Sequence, residues 1–350
     1  MRVLTIGSDR SLFIQGSPAR LRIAGYADVL GELHIIVFAL GSLGLSEVHD
    51  GALHLYPTNS RSKLRCVFDA IRMGKKIPAD VVTTQDPFEA GWVGYRIAQK
   101  QRVPLQLQVH TDIFAPSFAA GVNRVRLMVA RFLFGEASCV RTTSQSLKEK
   151  IEARYRLRGA VSVLPVFIDP QMLRVVAPVG LRQKYLQFDK IVVSASRLEP
   201  EKNVAATLRV FAKVLEKHPK VGLILLNTGG ERGRLAALAV KLDIAHHVVF
   251  EGFSDVPVGY FKEADALIQT SNYEGYGMAV IEALAVGCPV VSTDVGIARE
   301  AGAHVWDTQG LAEILSDVLA KGERGSLTMP LLSKEQYLAE YKRLLETCGA

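Results

Sequence analysis

Short apolar segments with the pattern of buried β-strands alternate with helical segments along most of the 350-residue chain. Several of them are continuous runs of Val, Ile and Leu, which is typical of parallel strands that are covered on both faces. Regular alternation of strands and helices predicts doubly wound parallel sheets, and therefore an α/β fold. The predicted strands are residues 3–6, 33–40, 80–84, 105–110, 139–143 and 162–164 in the first half and 191–196, 221–227, 247–250, 266–270 and 289–293 in the second.

The length of the chain suits two domains, because a single ordinary hydrophobic core does not grow to this size. The strand pattern is interrupted between residues 169 and 189, where Pro170 and Pro178 stand. We therefore predict a first domain over residues 1–172, a second over residues 186–330 and a final helical segment over residues 331–350.

Charge is distributed unevenly along the chain. The net charge of the whole sequence is +7, whereas residues 61–159 carry 18 Lys or Arg and 8 Asp or Glu, a net charge of +10. A basic first half suits an anionic lipid surface or an anionic acceptor, and a solvated basic surface without a partner is an equally good interpretation. No helix-turn-helix, aromatic RNA platform or zinc finger is visible, so we expect no nucleic-acid partner.

The sequence shows no signal for membrane insertion or export. No apolar run reaches the length of a membrane span, and the first residues have the pattern of a strand rather than of a signal peptide. The four cysteines are far apart and have no metal-ligand spacing, and we interpret them as reduced thiols of a cytoplasmic protein. They are Cys66, Cys139, Cys288 and Cys348.

A strand-to-helix turn in the second half carries two carboxylates, Glu274 before the helix and Glu282 within it. Gly275 and Gly277 lack a Cβ, so backbone N–H groups at the helix N-terminus can approach an anion closely. The carboxylates would repel the anion itself, but they can accept hydrogen bonds from hydroxyl groups beside it. A nucleotide sugar presents this series of groups: sugar hydroxyls, a diphosphate and ribose hydroxyls.

A second polar segment leaves the predicted strand 191–196. Arg197 can hold a phosphate with two parallel hydrogen bonds, and Lys202 adds a compact positive charge. Both follow the carboxyl end of a parallel strand, where open α/β sheets bind ligands. Arg197, Lys202 and the glycine turn are therefore predicted to form one site.

Taken together, these motifs in residues 194–296 resemble the nucleotide-sugar half of the family 4 retaining glycosyltransferases, which have the GT-B architecture. The matching sequences are Arg197-Leu-Glu-Pro-Glu-Lys-Asn203, Phe250-Glu-Gly252, Ala264-Asp265, Glu274-Gly-Tyr-Gly277 with Glu282-Ala283, and Gly287-Cys-Pro-Val-Val291. The similarity continues more faintly at Val109-His-Thr-Asp112 and Thr142-Thr-Ser144. It implies two Rossmann-like domains that face a central cleft, and a terminal helix that returns to the first domain.

The resemblance also implies roles for residues of the second half. Arg197 and Lys202 would hold the donor diphosphate. Glu274 would act as a catalytic residue that contacts the transferred sugar, and Glu282 would bind the ribose. The leaving diphosphate, where negative charge develops, would also be stabilised by the backbone amides of Gly275, Tyr276, Gly277 and Met278.

In the first half, the resemblance makes His110 a catalytic residue near the transferred sugar, although a histidine at a strand end is normally structural. Asp112 would either orient His110 or contact the acceptor. Gly16 lies in the loop after the first strand, where the family has a glycine-rich loop close to the donor phosphate. The match there is partial, and an ordinary loop glycine is as good an interpretation.

We predict a retaining hexosyltransferase that moves a hexose from a nucleotide diphosphate sugar to a sugar, lipid or other acceptor. The sugar donor is a co-substrate, and no cofactor and no metal are predicted, since the sequence has no Asp-x-Asp triplet and no His or Cys cluster at ligand spacing. A nucleotide-sugar epimerase or hydrolase and a non-catalytic nucleotide-sugar-binding partner are the alternatives. We place the protein in the cytoplasm, where its basic first domain could contact the inner membrane surface.

Overall fold

The computed structural model describes residues 1–119 and 121–349, which form two compact units. The first unit contains residues 1–165 together with the terminal segment that begins at Lys334. The second unit contains residues 166–333. The chain therefore leaves the first unit once and comes back to it at its end.

An eight-stranded sheet forms the centre of the first unit, in the order β3-β4-β2-β1-β5-β6-β7-β8. Its strands are β1 (Arg2–Gly7), β2 (Glu32–Val37), β3 (Val48–Asp50), β4 (Leu53–Pro57), β5 (Val81–Thr84), β6 (Leu105–Val109), β7 (Cys139–Thr142) and β8 (Ala160–Val163). Only the edge strand β3 is antiparallel to its neighbour. The helices of this unit are α1 (Pro18–Leu30), α2 (Lys63–Gly74), α3 (Glu89–Gln101), α4 (Val122–Glu136), α5 (Gln145–Arg154) and the last helix of the chain (Lys334–Glu346).

A six-stranded parallel sheet forms the centre of the second unit, in the order β11-β10-β9-β12-β13-β14. Its strands are β9 (Lys190–Ala195), β10 (Val221–Leu226), β11 (Val248–Gly252), β12 (Ala266–Gln269), β13 (Val290–Ser292) and β14 (His304–Val305). Its helices are α6 (Pro170–Val175), α7 (Leu181–Lys184), α8 (Val204–Lys217), α9 (Arg232–Lys241), α10 (Pro257–Phe261), α11 (Met278–Ala285), α12 (Ala298–Ala301) and α13 (Leu311–Lys321). The last helix of the chain is then α14.

The predicted α/β fold with two Rossmann-like parallel-sheet domains is confirmed. The hydrophobic core explains why the strands read as continuous apolar runs: β10 is buried at all six positions, with one helix layer on each face of its sheet. None of the helices in the described part of the chain is long and apolar enough to cross a membrane.

The edge hairpin β3–β4 and the short strand β14 were not predicted from the sequence. β3 has only three residues, two of them exposed, so it carries no apolar run. The signal that could have revealed it is Asp50-Gly51, which is a strong hairpin-turn sequence when it is followed by alternating residues such as Leu53-His-Leu-Tyr. Gly51 does adopt a positive φ of 56°.

The terminal helix α14 packs against α1 in the first unit through aromatic side chains. Tyr26 of α1 stacks on Tyr341 and Tyr337, with ring centroids 4.8 and 6.2 Å apart. Beneath these rings lies Arg141 of β7, which is 4% exposed and donates a 2.7 Å hydrogen bond to the Tyr337 hydroxyl. The Arg141 guanidinium is 5.3 Å from the Tyr341 ring centroid, so the tyrosines of α14 cover a buried cation.

The expectation of four reduced thiols is wrong for two of the cysteines. Cys139, at the start of β7, and Cys348, just after α14, form a disulfide with Cα atoms 5.3 Å apart. The pair could not be seen in the sequence because 209 residues separate its members, and only the return of α14 brings them together. Cys66 and Cys288 are free and buried, as expected.

Candidate active site

Loops at the carboxyl ends of neighbouring strands meet at one edge of the second sheet. The loop after β9 is joined to the loop after β10 by a 3.0 Å hydrogen bond from Leu198 N to Thr228 O. It is joined to the loop after β12 by a 2.9 Å hydrogen bond from Asn272 N to Glu201 O. The two segments that the sequence predicts to share a site therefore do lie side by side, and the backbone fixes them to each other.

Lys202 and Glu274 form an ion pair at the centre of this edge. The Lys202 ammonium is 2.8 Å from both carboxylate oxygens of Glu274, and the two side chains are only 15% and 11% exposed. The Ser271 hydroxyl donates a 2.7 Å hydrogen bond to the same carboxylate. The sequence predicts separate roles for Lys202 and Glu274, whereas the structure shows that each is the other's partner.

Arg197 is more accessible than Lys202. Its guanidinium donates a 2.9 Å hydrogen bond to the Glu201 carboxylate, and its side chain is 64% exposed. An ion pair in water of this kind contributes little, on the order of 0–1 kcal/mol, so Arg197 can exchange Glu201 for a phosphate at small cost. Both predicted phosphate-binding cations are thus held by carboxylates.

The glycine turn before α11 has the conformation that an anion site requires. Gly277 adopts φ +102° immediately before Met278, the first residue of the helix, and no side chain caps the helix N-terminus. Gly296 allows the neighbouring loop to lie against this turn, because a Cβ there would be 2.4 Å from Tyr276 O. The Tyr276 ring is buried in the core at 6% exposure, so it anchors the turn, and only its backbone is available to a ligand.

Glu282 lies one turn into α11, and burial raises the pKa of its carboxyl to about 7. Its carboxylate has no hydrogen-bond or ion-pair partner within the part of the chain that the structure describes. Glu282 is half-buried, and a partly desolvated carboxylate without a donor is unfavourable unless a ligand supplies one. Hydroxyl groups of a ribose would supply such donors.

His110 follows β6 at the carboxyl edge of the first sheet. Its Nε2 is 2.9 Å from the Oε1 atom of Gln108, which can only accept, so Nε2 carries the proton and Nδ1 is the acceptor. Burial, together with the positive charges of Arg141 and Arg22, lowers the pKa of His110 to about 3. His110 is therefore neutral near pH 7 and suited to hydrogen bonding rather than to proton donation as an imidazolium.

Two other residues that the sequence singles out, Asp112 and Gly16, lie in loops of the first unit. Asp112 accepts a 2.9 Å hydrogen bond from Phe114 N and pairs with Lys150 at 3.3 Å, so its contacts are with its own loop and with α5. Gly16 is exposed in the loop before α1 and adopts φ +76°, a backbone conformation that suits glycine.

Sequence reasoning missed several residues that hold the predicted site residues of each unit in place. Ser271 and Glu201 hold Glu274 and Arg197, while Gln108 and Arg141 set the tautomer of His110: Arg141 also donates to Gln108 Oε1, at 3.2 Å. The available signal for Arg141 was a charged residue inside a predicted buried strand, which needs partners in order to be tolerated there.

Two sequence families match the chain. The family described as Glycosyl transferases group 1 matches residues 182–311, which form most of the second unit. The family described as Glycosyl transferase 4-like domain matches residues 34–166, all but the last of which belong to the first unit. Together they cover the greater part of the chain.

Similar proteins include a synthase and a glycosyltransferase from two bacteria. The chain is 28% identical to alpha-monoglucosyldiacylglycerol synthase of Streptococcus pneumoniae over 241 residues, which cover 64% of this chain and 54% of that protein. It is 29% identical to D-inositol 3-phosphate glycosyltransferase of Streptomyces avermitilis over 236 residues, 59% of this chain and 49% of that protein. The chain thus spans about half the length of these relatives.

Solved structures show the same fold over the full length. Anabaena Alr3699/HepE in complex with UDP and glucose has a TM-score of 0.74 at 20% identity, covering 99% of this chain and 100% of that one. Sucrose-phosphate synthase from Thermosynechococcus elongatus has a TM-score of 0.73 at 19% identity, covering 99% of this chain and 95% of that one. With both halves matched in sequence and the whole in fold, the chain belongs to the family 4 glycosyltransferases of GT-B architecture.

Proposed function

We propose that the protein transfers a hexose, with retention, from a nucleotide diphosphate sugar to an acceptor. The observation that carries this proposal is the paired Lys202 and Glu274 beside the uncapped N-terminus of α11, with the partnerless carboxylate of Glu282 one turn further along. Cations and backbone amides suit a diphosphate, and the two carboxylates suit hydroxyl groups on either side of it.

Donor binding in this proposal exchanges partners rather than burying new charge. The diphosphate takes Lys202 and Arg197, and the carboxylate of Glu274 passes from Lys202 to hydroxyls of the transferred sugar. Ser271 keeps its hydrogen bond to Glu274 throughout and so holds the carboxylate in place. This exchange avoids leaving a buried charge unpaired, which would cost several kcal/mol.

In the transfer step, the bond from the anomeric carbon to the diphosphate oxygen breaks and a bond from the same carbon to the acceptor oxygen forms. The proton of the acceptor hydroxyl goes to the leaving phosphate on the same face, the route implied for this family. His110 acts as a neutral hydrogen-bonding group, since its pKa is lowered to about 3. Arg197, Lys202 and the amides of the turn stabilise the charge on the leaving group.

UDP is the first nucleotide to test, because HepE is described in complex with UDP and glucose. We further propose that no divalent metal takes part in transfer. Among the described residues, the one group of three metal-ligating side chains lies in the first unit, in β2 and β4, and not beside Lys202 and Glu274. The diphosphate charge would then be met by Arg197, Lys202 and the N-terminus of α11, worth roughly half a unit charge.

A lipid-linked or lipid acceptor at an anionic membrane surface is the acceptor class that we propose. Apolar side chains on neighbouring faces of α2 and α4 are exposed by 46–72%: Leu64, Phe68, Val122, Val125, Met128 and Phe132. Basic residues flank them on the same helices: Lys63, Arg65, Arg72, Arg124 and Arg131. An apolar face with a basic border suits insertion between anionic lipid headgroups.

The proposal is tested by calorimetric titration of UDP, UMP and uridine into the protein and its variants. Arg197→Ala and Lys202→Ala should weaken UDP binding about tenfold or more, since a charge-assisted contact is worth roughly 1.5–3 kcal/mol, and should leave uridine binding nearly unchanged. Arg209→Ala and Lys213→Ala, exposed on α8 of the same unit, are the matched controls.

Transfer is then measured with UDP-glucose and lipid acceptors. Product formed only when acceptor is present supports the transferase, whereas free or epimerised sugar formed equally well without acceptor would indicate the hydrolase or epimerase. Nucleotide binding without turnover of any donor would indicate a non-catalytic partner. Equal UDP affinity in both alanine variants and their controls would contradict the diphosphate assignment.

A further inference from the structure

Three histidines stand next to one another at the outer edge of the first sheet. His34 of β2 pairs in register with His54 of β4, and His54 pairs in register with His49 of β3. The rings of His34 and His54 are stacked with centroids 4.8 Å apart. The donor site does not use this cluster, since all three lie towards the amino ends of β2 and β4, at the end of the sheet opposite to His110.

Two of these histidines converge on one carboxylate. Nε2 of His34 is 3.1 Å from Glu32 Oε1, and Nε2 of His54 is 3.8 Å from the same oxygen. The three residues each offer a ligand atom within 4.8 Å of the others. Ligand atoms that surround one ion at about 2.0–2.2 Å are typically a little over 3 Å apart, so small side-chain rotations would complete such a site.

The outer nitrogen, Nδ1, of each ring already has a hydrogen-bond partner. Nδ1 of His34 is 3.1 Å from the Tyr56 hydroxyl, and Nδ1 of His54 is 3.0 Å from Nδ1 of His49. Nε2 of His49 in turn lies 3.6 Å from Glu47. With an ion in place of the Nε2 proton, Nδ1–H would donate outward to such a partner, and the ring orientation would be fixed.

We propose that Glu32, His34 and His54 bind a zinc ion, with Tyr56 and His49 as the outer partners that orient the two rings. Two imidazoles and one carboxylate suit Zn²⁺ better than Mg²⁺ or Ca²⁺, which prefer oxygen ligands. Three protein ligands leave a fourth position for water. Glu32 is 40% exposed, so the ion can enter from solvent.

The position of the cluster indicates what the ion would do, since Glu32 and His34 belong to β2 and His54 belongs to the neighbouring strand β4. The ion would join β2 to β4 directly and β3 through His49. Its role is therefore to hold the exposed edge of the sheet, where the antiparallel strand β3 is the last and shortest.

The test is titration of zinc chloride into chelator-treated full-length protein, with a chromophoric chelator as competitor and with thermal unfolding followed in parallel. The wild-type protein should bind one zinc ion per molecule and should melt at a higher temperature with zinc than without it. His54→Gln, His34→Gln and Glu32→Gln should abolish that response. Tyr56→Phe and His49→Gln should weaken zinc binding by about 10–100-fold, the range for outer partners.

His246→Gln is the matched control, because His246 is exposed in the second unit. It should bind zinc like the wild type, and circular dichroism of the chelator-treated variants should show that each one is folded. His34 is more buried than His54, so the His34→Gln variant is the one more liable to unfold. If it does not fold, the test rests on His54→Gln and Glu32→Gln. No saturable zinc binding by the wild type, or binding retained in a folded His54→Gln variant, would overturn the proposal.

Discussion

Replacing Glu282 with Gln should stabilise the protein at neutral pH while weakening its binding of nucleotide. Burial raises the pKa of this carboxyl from 4.5 to about 7, so the folded protein holds its proton more tightly than the unfolded chain does. The stability that this group contributes is therefore fully present below about pH 4.5 and is lost as the pH rises to about 7. The glutamine side chain is neutral over this whole pH range, so the variant does not lose this stability as the pH rises.

The expected gain in stability follows from the shift in the pKa of Glu282. About 2.5 pH units at 1.36 kcal/mol each give an upper bound of roughly 3 kcal/mol above pH 7, and almost nothing at about pH 4. For a unit of this size, 1 kcal/mol corresponds to roughly 2–4 °C in Tm, so the variant should gain up to about 6–12 °C at about pH 8. Nucleotide binding should weaken in this variant. The ribose hydroxyls lose an ionised acceptor, because one carboxylate oxygen of Glu282 is replaced by an amide group that donates.

The assay is thermal and urea unfolding of the wild type, Glu282→Gln and Glu216→Gln between about pH 5 and pH 8. Glu216 is exposed on α8 of the same unit, so its variant should keep the pH dependence of the wild type. Unfolding curves of wild type and Glu282→Gln that shift in parallel with pH would refute the idea that Glu282 is buried without a donor.

Nucleotide binding supplies an independent readout of the same carboxyl. A ribose that donates to ionised Glu282 should lower its pKa, so that UDP binding releases protons between about pH 5 and 7 and becomes tighter as the pH rises. Calorimetry in buffers of different ionisation enthalpy measures this release, which should be absent in Glu282→Gln. Equal proton release and equal UDP affinity in both proteins would show that Glu282 does not bind the ribose.

The other predictions concern metal, lipid and the disulfide. Excess EDTA should leave transfer from the donor intact, and complete loss of activity that magnesium or manganese restores would contradict the metal-free account of the leaving group. The protein should sediment with anionic vesicles at low salt, less so at high salt and less so as Met128→Glu, whereas Val240→Glu, on the exposed side of α9, should behave as wild type. Absence of sedimentation at low salt would remove the lipid-surface proposal. Cys348→Ser should lower the free energy of unfolding by about 2–5 kcal/mol, and dithiothreitol should lower that of the wild type to the same level without affecting the variant. An unfolding curve of the wild type that is unchanged by dithiothreitol would contradict a stabilising disulfide.

Local patterns in the sequence were sufficient for the sheets and for the position of the donor segments. Apolar runs identified the strands other than β3, β4 and β14, and the glycines of the turn identified the start of α11, because these features depend on residues close in sequence. The hairpin β3–β4 was missed because an edge strand with exposed residues has no apolar run. Its turn sequence, Asp50-Gly51, carried the available information.

Features that depend on distant residues could not be predicted in this way. The search for metal ligands at short spacing found nothing, yet His34 and His54 are neighbours because β2 and β4 pair in register. Similarly, no spacing indicates that Cys139 meets Cys348, or that Lys202 forms an ion pair with Glu274. The residue types of the site were readable from the sequence, whereas their partners were set by the fold.

The return of residues 334–349 to the first unit has a consequence for biosynthesis. The second unit is made of one continuous stretch, residues 166–333, and all of it leaves the ribosome before α14 does. Until then Arg141 lacks the tyrosine rings that cover it, and Cys139 has no sulfur to join. A nascent chain therefore holds a finished second domain and an unfinished first one, and the domain that begins to fold first is the last to be completed.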